Sequence, residues 1–543
     1  MTHNAVARWL NETFLDLGRH VRWSYLPPLM VYLAAGISAL TSIVGTFFVK
    51  EYLGLSAAFL VGLTFWAGLP WAMKIPLGHL VDLIWRWKAL LVYLGATLIA
   101  LSIGIMYGLV VHPSEMAVFM SIEAWYVVSV LLAPMGYVVQ DAVADAMTVE
   151  AVPTTDHTGK RYSEGALKQM HTTMQTLGRF AIISGFVAVA LLNITLFAGV
   201  EAMSAAEQAA VYADIYLLAL VIPVISVLGV VLGTLSLRLR ARRLRKQGFA
   251  AARIKTMMFA PAEKTKPNWL ILGGSLLFVV FTLTMGVGEV PFAQEIIFLG
   301  SMAIVLFLMQ RLILELAPNL RRALAGTAVI IFVFRAVPLP GPGATWFEID
   351  GLGFDQRFLS VLTLITSVLA LAGMLLLRPL MAKRSIAYIV ALLTVAAGIL
   401  SLPNIGLFYG LHEWTAQLTE GIVDARFIAI FDTALESPLG QIAMIPMLAW
   451  IAKNAPPHLK ATFFAVMASF TNLALSASTL ATKYLNQIFL VTREVRDRVT
   501  GMIEVPADYS ELGPLLMTVA AISVVLPLLT ILLVQRSPLR TQQ

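Results

Sequence analysis

The chain of 543 residues contains no cysteine. That excludes a disulfide framework, a thiolate metal site and a cysteine nucleophile. Charge is also scarce: 13% of residues are Asp, Glu, Lys or Arg, against about 25% in a soluble globular chain. The sequence has no H-E-x-x-H, no G-x-S-x-G, no Walker-type phosphate loop and no glycine-rich dinucleotide turn. Nothing therefore points to an enzyme, a metal or a cofactor, and any pumping must draw on a gradient rather than a nucleotide. No cleavable signal is visible. Residues 4–23 instead interleave Arg8, Glu12, Asp16, Arg19 and Arg22 with Trp9, Leu10, Phe14 and Leu17, which predicts an amphipathic cytoplasmic segment over 1–26 lying on the membrane surface.

What is abundant is apolar surface. Hydrophobic residues make up 59% of the chain, and runs of about 20 apolar residues recur, the length needed to cross a bilayer as a helix. The expectation is an all-α polytopic membrane protein whose solvent is lipid. The formal charge of +7 then concerns loop orientation, not nucleic acid. Hydropathy places spans near 27–49, 55–76, 89–111, 117–146, 172–197 and 214–237, then 269–288, 294–315, 322–340, 357–379, 384–403, 425–451, 459–483 and 513–535. With fourteen spans and a cytoplasmic N-terminus, most of the 38 Lys and Arg fall inside, among them the run from Arg238 to Lys266. Both termini are then cytoplasmic. The predicted organisation is a six-helix half over 27–237 and a basic loop over 238–268. Two inserted helices follow over 269–318, then a second six-helix half over 319–543, as in a duplicated transporter.

Charged residues within the spans are few, and each is costly in lipid. Asp141 and Asp145 are four apart, so they share one helix face, and Glu123 lies eighteen residues earlier on that same face. The stripe either lines a water-filled path, where the acids could exchange protons or hold a gate, or it caps and bridges helices at the cytoplasmic edge. Asp432 and Glu436 repeat the four-residue spacing in the second half. Pro438 and Pro446 should kink that helix. Arg179 and Arg335 are the intramembrane cations, one per half, suited to an anionic substrate. Alternatively they pair structurally, Arg179 with Asp141 and Arg335 with Asp432 or Glu436. Gln441 and Asn472 offer amides for substrate recognition or for helix–helix contact. Trp346 and Phe347 read as part of the interfacial aromatic belt.

Several motifs carry a resemblance. In "GHLVDLIWRWK" (78–88), Gly78 permits close backbone approach, Asp82 follows four residues later, and Arg86 and Lys88 are basic. This resembles the cytoplasmic loop motif of the major facilitator superfamily. "DAVADAMTVE" (141–150) looks like the D-x-x-x-D-A-x-x-x-E signature of its folate–biopterin transporter branch. "FRAVPLPGPGATWFEIDGLGF" (334–354) and "SPLGQIAMIP" (437–446) are similar to later segments of that branch, as is "ATFFAVMASFTNL" (461–473), though Lys460 stands where the branch usually has Glu. The resemblance leaves 245–318 unmatched. It implies a major facilitator fold with two extra central helices, rocking around a midplane site. It also implies a folate or pterin cargo moved with protons, a location in the inner (plasma) membrane, and a monomer. In that reading Arg179, Arg335, Gln441 and Asn472 bind substrate, while Glu123, Asp141, Asp145, Asp432 and Glu436 carry protons or hold gates. Muropeptide permeases, which share the fourth-span pattern together with Gln140, are the alternative cargo class. A non-transporting sensor or assembly factor is the alternative outside transport.

Overall fold

In lipid every backbone amide must find its partner within the protein, so an apolar run closes into helix. The computed structural model describes residues 22–72, 74–85, 87–152, 162–251, 254, 269–288, 290–314, 318–376, 385–437, 460–496 and 502–540. Its helices, in chain order, are α1 (Leu26–Ile37), α2 (Ser42–Tyr52), α3 (Ala57–Ala72), α4 (Lys74–Leu83), α5 (Ala89–Val111), α6 (Pro113–Phe119) and α7 (Ile122–Ala151). There follow α8 (Glu164–Leu196), α9 (Ala205–Ala219), α10 (Val221–Lys246), α11 (Trp269–Val287), α12 (Ala293–Ile313) and α13 (Pro318–Arg335). The last are α14 (Pro342–Asp350), α15 (Gln356–Leu376), α16 (Ile386–Phe408), α17 (Leu411–Leu418), α18 (Ala425–Glu436), α19 (Lys460–Ile488) and α20 (Leu512–Arg536). Eight helical segments among the described residues are long and apolar enough to cross a membrane, and two shorter apolar helices accompany them. The chain is a multi-pass membrane protein.

Local sequence sets several boundaries. Ser121 caps α7 by accepting from Ala124 N. Ser204 and Glu207 form a reciprocal capping box at α9. Ser385 and Asp424 cap α16 and α18. One departure from an all-helical chain is a short antiparallel hairpin of β1 (Val495–Arg496) and β2 (Ile503–Val505). The basic run begins within a helix, since α10 continues through Arg238, Arg243 and Arg245 to Lys246.

The chain divides into two compact units. The first comprises Met1–Ser42, Met73–Leu192 and Met203–Val280; the second comprises Ile43–Ala72, Asn193–Ala202 and Phe281–Gln543. Within the first, α5 and α7 pack most closely. A Cβ on Gly95 would lie 2.6 Å from Gly136 O, and one on Gly136 would lie 2.6 Å from Gly95 O. Where apolar side chains gain nothing by leaving lipid, such close backbone approach is what holds helices together. Further along the interface Ser102 and Ser129 each donate to the other's backbone carbonyl, at 2.8 and 3.0 Å. Gln140 is buried and donates to Val92 O and to Ser226 Oγ, joining α5, α7 and α10.

In the second unit α19 packs along α3, α12 and α13, and α20 packs along α13 and α16. The aromatic-belt expectation fails at 346–347. Trp346 is 2% exposed, and the Phe347 ring packs against Phe408 and Tyr509. Both turn inward because α14 lies against protein, where burying an aromatic ring gains more than an interfacial seat.

Candidate functional site

In the first unit, the acidic stretch of α7 faces α1. The Tyr32 hydroxyl donates to Asp145 Oδ1 at 2.6 Å. Tyr32 is held there by Gly178, where any Cβ would come within 2.9 Å of its ring. Asp141 and the exposed Arg179 lie within electrostatic reach of the same hydroxyl. The expected Arg179–Asp141 ion pair is not among those of the described residues. Glu123 sits in the first turn of α7, beside the Ser121 cap. At 1.5 Å per residue it is about 27 Å along the axis from Asp141, so the stripe is not one cluster.

The loop motif meets the α7 signature at one point. Lys88 Nζ lies 2.5 Å from Glu150 Oε1, both side chains mostly buried, and rests 4.2 Å from the centre of the Trp85 ring. The expected close approach at Gly78 is not met: a Cβ there would touch nothing within 4 Å among the described residues. Asp82 falls within α4, while its side chain, Arg86 and Gln441 lie outside what the structure describes, as do Pro438 and Pro446.

In the second unit Asp432 is buried, 4% exposed. Asn404 Nδ2 donates to its Oδ2 at 2.8 Å, and its Oδ1 has no hydrogen-bond partner among the described residues. Glu436, one turn later and last in α18, is exposed. Arg335 ends α13 with its Nε buried and without a partner among the described residues. It pairs with neither Asp432 nor Glu436. A single stripe of α19 fixes the chain that follows Arg335. Ser478 donates to Val337 O at 2.6 Å, Leu339 N donates to Thr482 Oγ1 at 2.9 Å, and Asn486 donates to Pro340 O at 3.1 Å. The spacing of four residues puts all three on one helix face.

Asn472, higher on α19, lines a small cavity with Ser476, with Phe65 and Gly68 of α3, and with Phe298 and Ser301 of α12. Ser301 Oγ is buried there without a partner among the described residues. An ion cluster anchors α12 nearby. Glu295 Oε1 accepts from Lys483 Nζ and from Tyr484 OH, each at 2.7 Å, and Gln294 Nε2 donates to Gly62 O at 3.1 Å.

Sequence reading missed Tyr32, Asn404 and the Glu295–Lys483 pair. The first two are polar groups inside apolar spans, which is a signal in itself. The third sits at span ends, where charge is ordinary.

The chain matches the BT1 family over residues 35–542. It is 32% identical over 146 residues to a folate-biopterin transporter of Synechocystis sp.. That alignment covers 27% of this chain and 28% of the relative, so it spans little more than a quarter of the relative's length. Among solved structures, a POT family transporter in complex with 5-aminolevulinic acid superposes with a TM-score of 0.60 at 13% identity, covering 95% of this chain and 96% of that one. A nucleoside transporter superposes at 0.52 and 12% identity, covering 94% and 99%. At such identity these neighbours establish the fold, which is that of the major facilitator transporters. The curated relative and both structural neighbours are transporters, not enzymes. On a match that runs nearly the length of the chain, the protein belongs to the BT1 family.

Proposed function

We propose that the protein is a secondary transporter that moves a folate- or pterin-like organic anion by alternating access, coupled to protons. Asp432 is the observation that carries the reading. A buried carboxylate with one amide donor, and one oxygen that has no partner among the described residues, is costly to keep charged. A proton taken up at that oxygen and later released would relieve the cost, which is the property a coupling group needs. Asp145, held by a neutral hydroxyl, is the corresponding group of the first unit.

Arg335 supplies the positive charge for the anionic tail of the cargo, because its buried Nε has no acceptor among the described residues and can still give a hydrogen bond. Arg179 is its counterpart on α8, and Asn472 and Gln441 provide amides. The family and the folate-biopterin relative support this cargo class. In the same reading the transporter works as a monomer in the inner (plasma) membrane with both termini cytoplasmic. The two halves that rock are the six-helix halves expected over 27–237 and 319–543, with 269–318 inserted between them.

The test is uptake of labelled folate into proteoliposomes, with and without an imposed pH gradient. Accumulation that needs the gradient and is suppressed by unlabelled pterin supports both cargo and coupling. Intact, oriented liposomes that accumulate no folate would detach that cargo, and muropeptides would be the next anions tried.

A further inference from the structure

Two observations converge on residues 43–72. The first concerns the start of that segment. Between α1 and α2 the helix tightens into a 3-10 turn, Ser38–Thr41. Ser38 Oγ donates back to Ala35 O at 2.6 Å and Ser42 Oγ to Ala39 O at 2.7 Å. Serines bonding backwards in this way bend helices, and a 3-10 stretch within a helix often marks a hinge. The border between the compact units falls at this point, between Ser42 and Ile43, and again between Ala72 and Met73. The α2–α3 hairpin thus belongs with the second unit although both its ends run on into the first.

The second observation is what holds the hairpin's tip. Arg493 is 3% exposed. Its guanidinium donates through Nε to Lys50 O at 2.8 Å, through Nη1 to Leu55 O at 2.8 Å and through Nη2 to Val49 O at 2.9 Å. The same group stacks 4.5 Å from the centre of the Trp346 ring. Beside it, Lys50 Nζ pairs with Asp350 Oδ1 at 2.5 Å, and Asp350 Oδ2 accepts from the Tyr509 hydroxyl at 2.6 Å. Lys50 O lies in the last turn of α2, where carbonyls lack intrahelical donors. One planar fork reaches three carbonyls across the turn at the hairpin's tip, a geometry that a lysine ammonium cannot reproduce.

We propose that Arg493 is a latch on the α2–α3 hairpin, and that its release lets the hairpin swing at Ser38–Thr41 and opens the substrate path on that face. The charge asymmetry of the loops puts that face outside. Trp346 is the seat of the latch, and the Lys50–Asp350 pair is a second, weaker tie. The inference rests on the alternating-access reading.

The absence of cysteine gives a clean test. Leu53, fully buried under the latch, is changed to Leu53→Cys, and its labelling by a membrane-impermeant maleimide is timed in proteoliposomes. The parent should label slowly. Arg493→Gln and Arg493→Lys should each label at least about tenfold faster, the equivalent of one lost charged hydrogen bond. Labelling within twofold of the parent, in Arg493→Gln protein with an unchanged melting temperature, overturns the latch. Should Arg493→Gln fail to fold, Asp350→Asn carries the test: a rise of a few fold is expected, and no rise overturns the proposal. Labelling needs no cargo. Protein that labels as expected but takes up no folate keeps the latch and loses the cargo.

Discussion

Lys88 and Glu150 lie 62 residues apart in the chain and 2.5 Å apart in space. Each is the closing residue of a motif, the basic end of the loop stretch 78–88 and the α7 acidic signature 141–150, so the two motifs meet at one ion pair. The pair is mostly buried, which makes loss of one partner more damaging than loss of both. Because both side chains keep some exposure, Lys88→Ala and Glu150→Ala should each lower stability by about 1–3 kcal/mol, the cost of leaving one hydrogen-bonding partner unsatisfied. In the double variant the two losses should not add, leaving a coupling of about 1 kcal/mol or more. Thermal unfolding in detergent, run as a double-mutant cycle, checks this.

The α5–α7 crossing depends on the absence of a side chain at Gly95. Gly95→Leu should push the helices apart and cost about 1–3 kcal/mol or prevent folding. Ser102→Ala, at the same interface, should cost about 1 kcal/mol. Expression level and melting temperature of the two variants, measured side by side, test the ranking.

Glu348 in α14 lies outside the membrane-spanning segments, and burial pushes its carboxyl up to about 7. For an acid whose folded value is raised, the folded state holds the proton over a range where the unfolded chain has released it. Stability is therefore fully present below the unfolded value and declines as pH rises from about 4.5 toward 7, by on the order of 3 kcal/mol. Glu348→Gln should flatten that part of the pH–stability curve. A curve of unchanged slope between those limits would contradict the assignment.

Arg335→Ala should raise the KM for an anionic cargo at least about tenfold, the equivalent of one lost charged hydrogen bond. Because Ser478, Thr482 and Asn486 hold the chain after Arg335, the backbone should stay in place and the melting temperature should change little. Equilibrium binding to detergent-purified protein separates lost affinity from slower turnover.

Hydropathy read the helices well because in lipid the solvent dictates them: the stretch 89–111 returns as Ala89–Val111. Partner choice was not legible. Asp145 could be seen as a costly acid in a span, but nothing local names Tyr32, which lies 113 residues away. Asp432 was visible for the same reason, whereas Asn404 was one of several polar groups on another helix. Trp346 was misread because a tryptophan in a loop looks the same to the sequence whether it faces an interface or receives Arg493. Chain order groups 43–72 with the expected N-terminal half, while packing groups it with the second unit. Only tertiary contact decides such a case.

The central claim is that Asp432 carries the coupling proton. The most direct measurement compares two modes of transport in one preparation of Asp432→Asn. One mode is accumulation of labelled folate driven by a pH gradient; the other is exchange of labelled for unlabelled folate without a gradient. The amide is isosteric and cannot release a proton, so accumulation should be lost while exchange persists near the parent rate. Accumulation retained at the parent level would contradict the account.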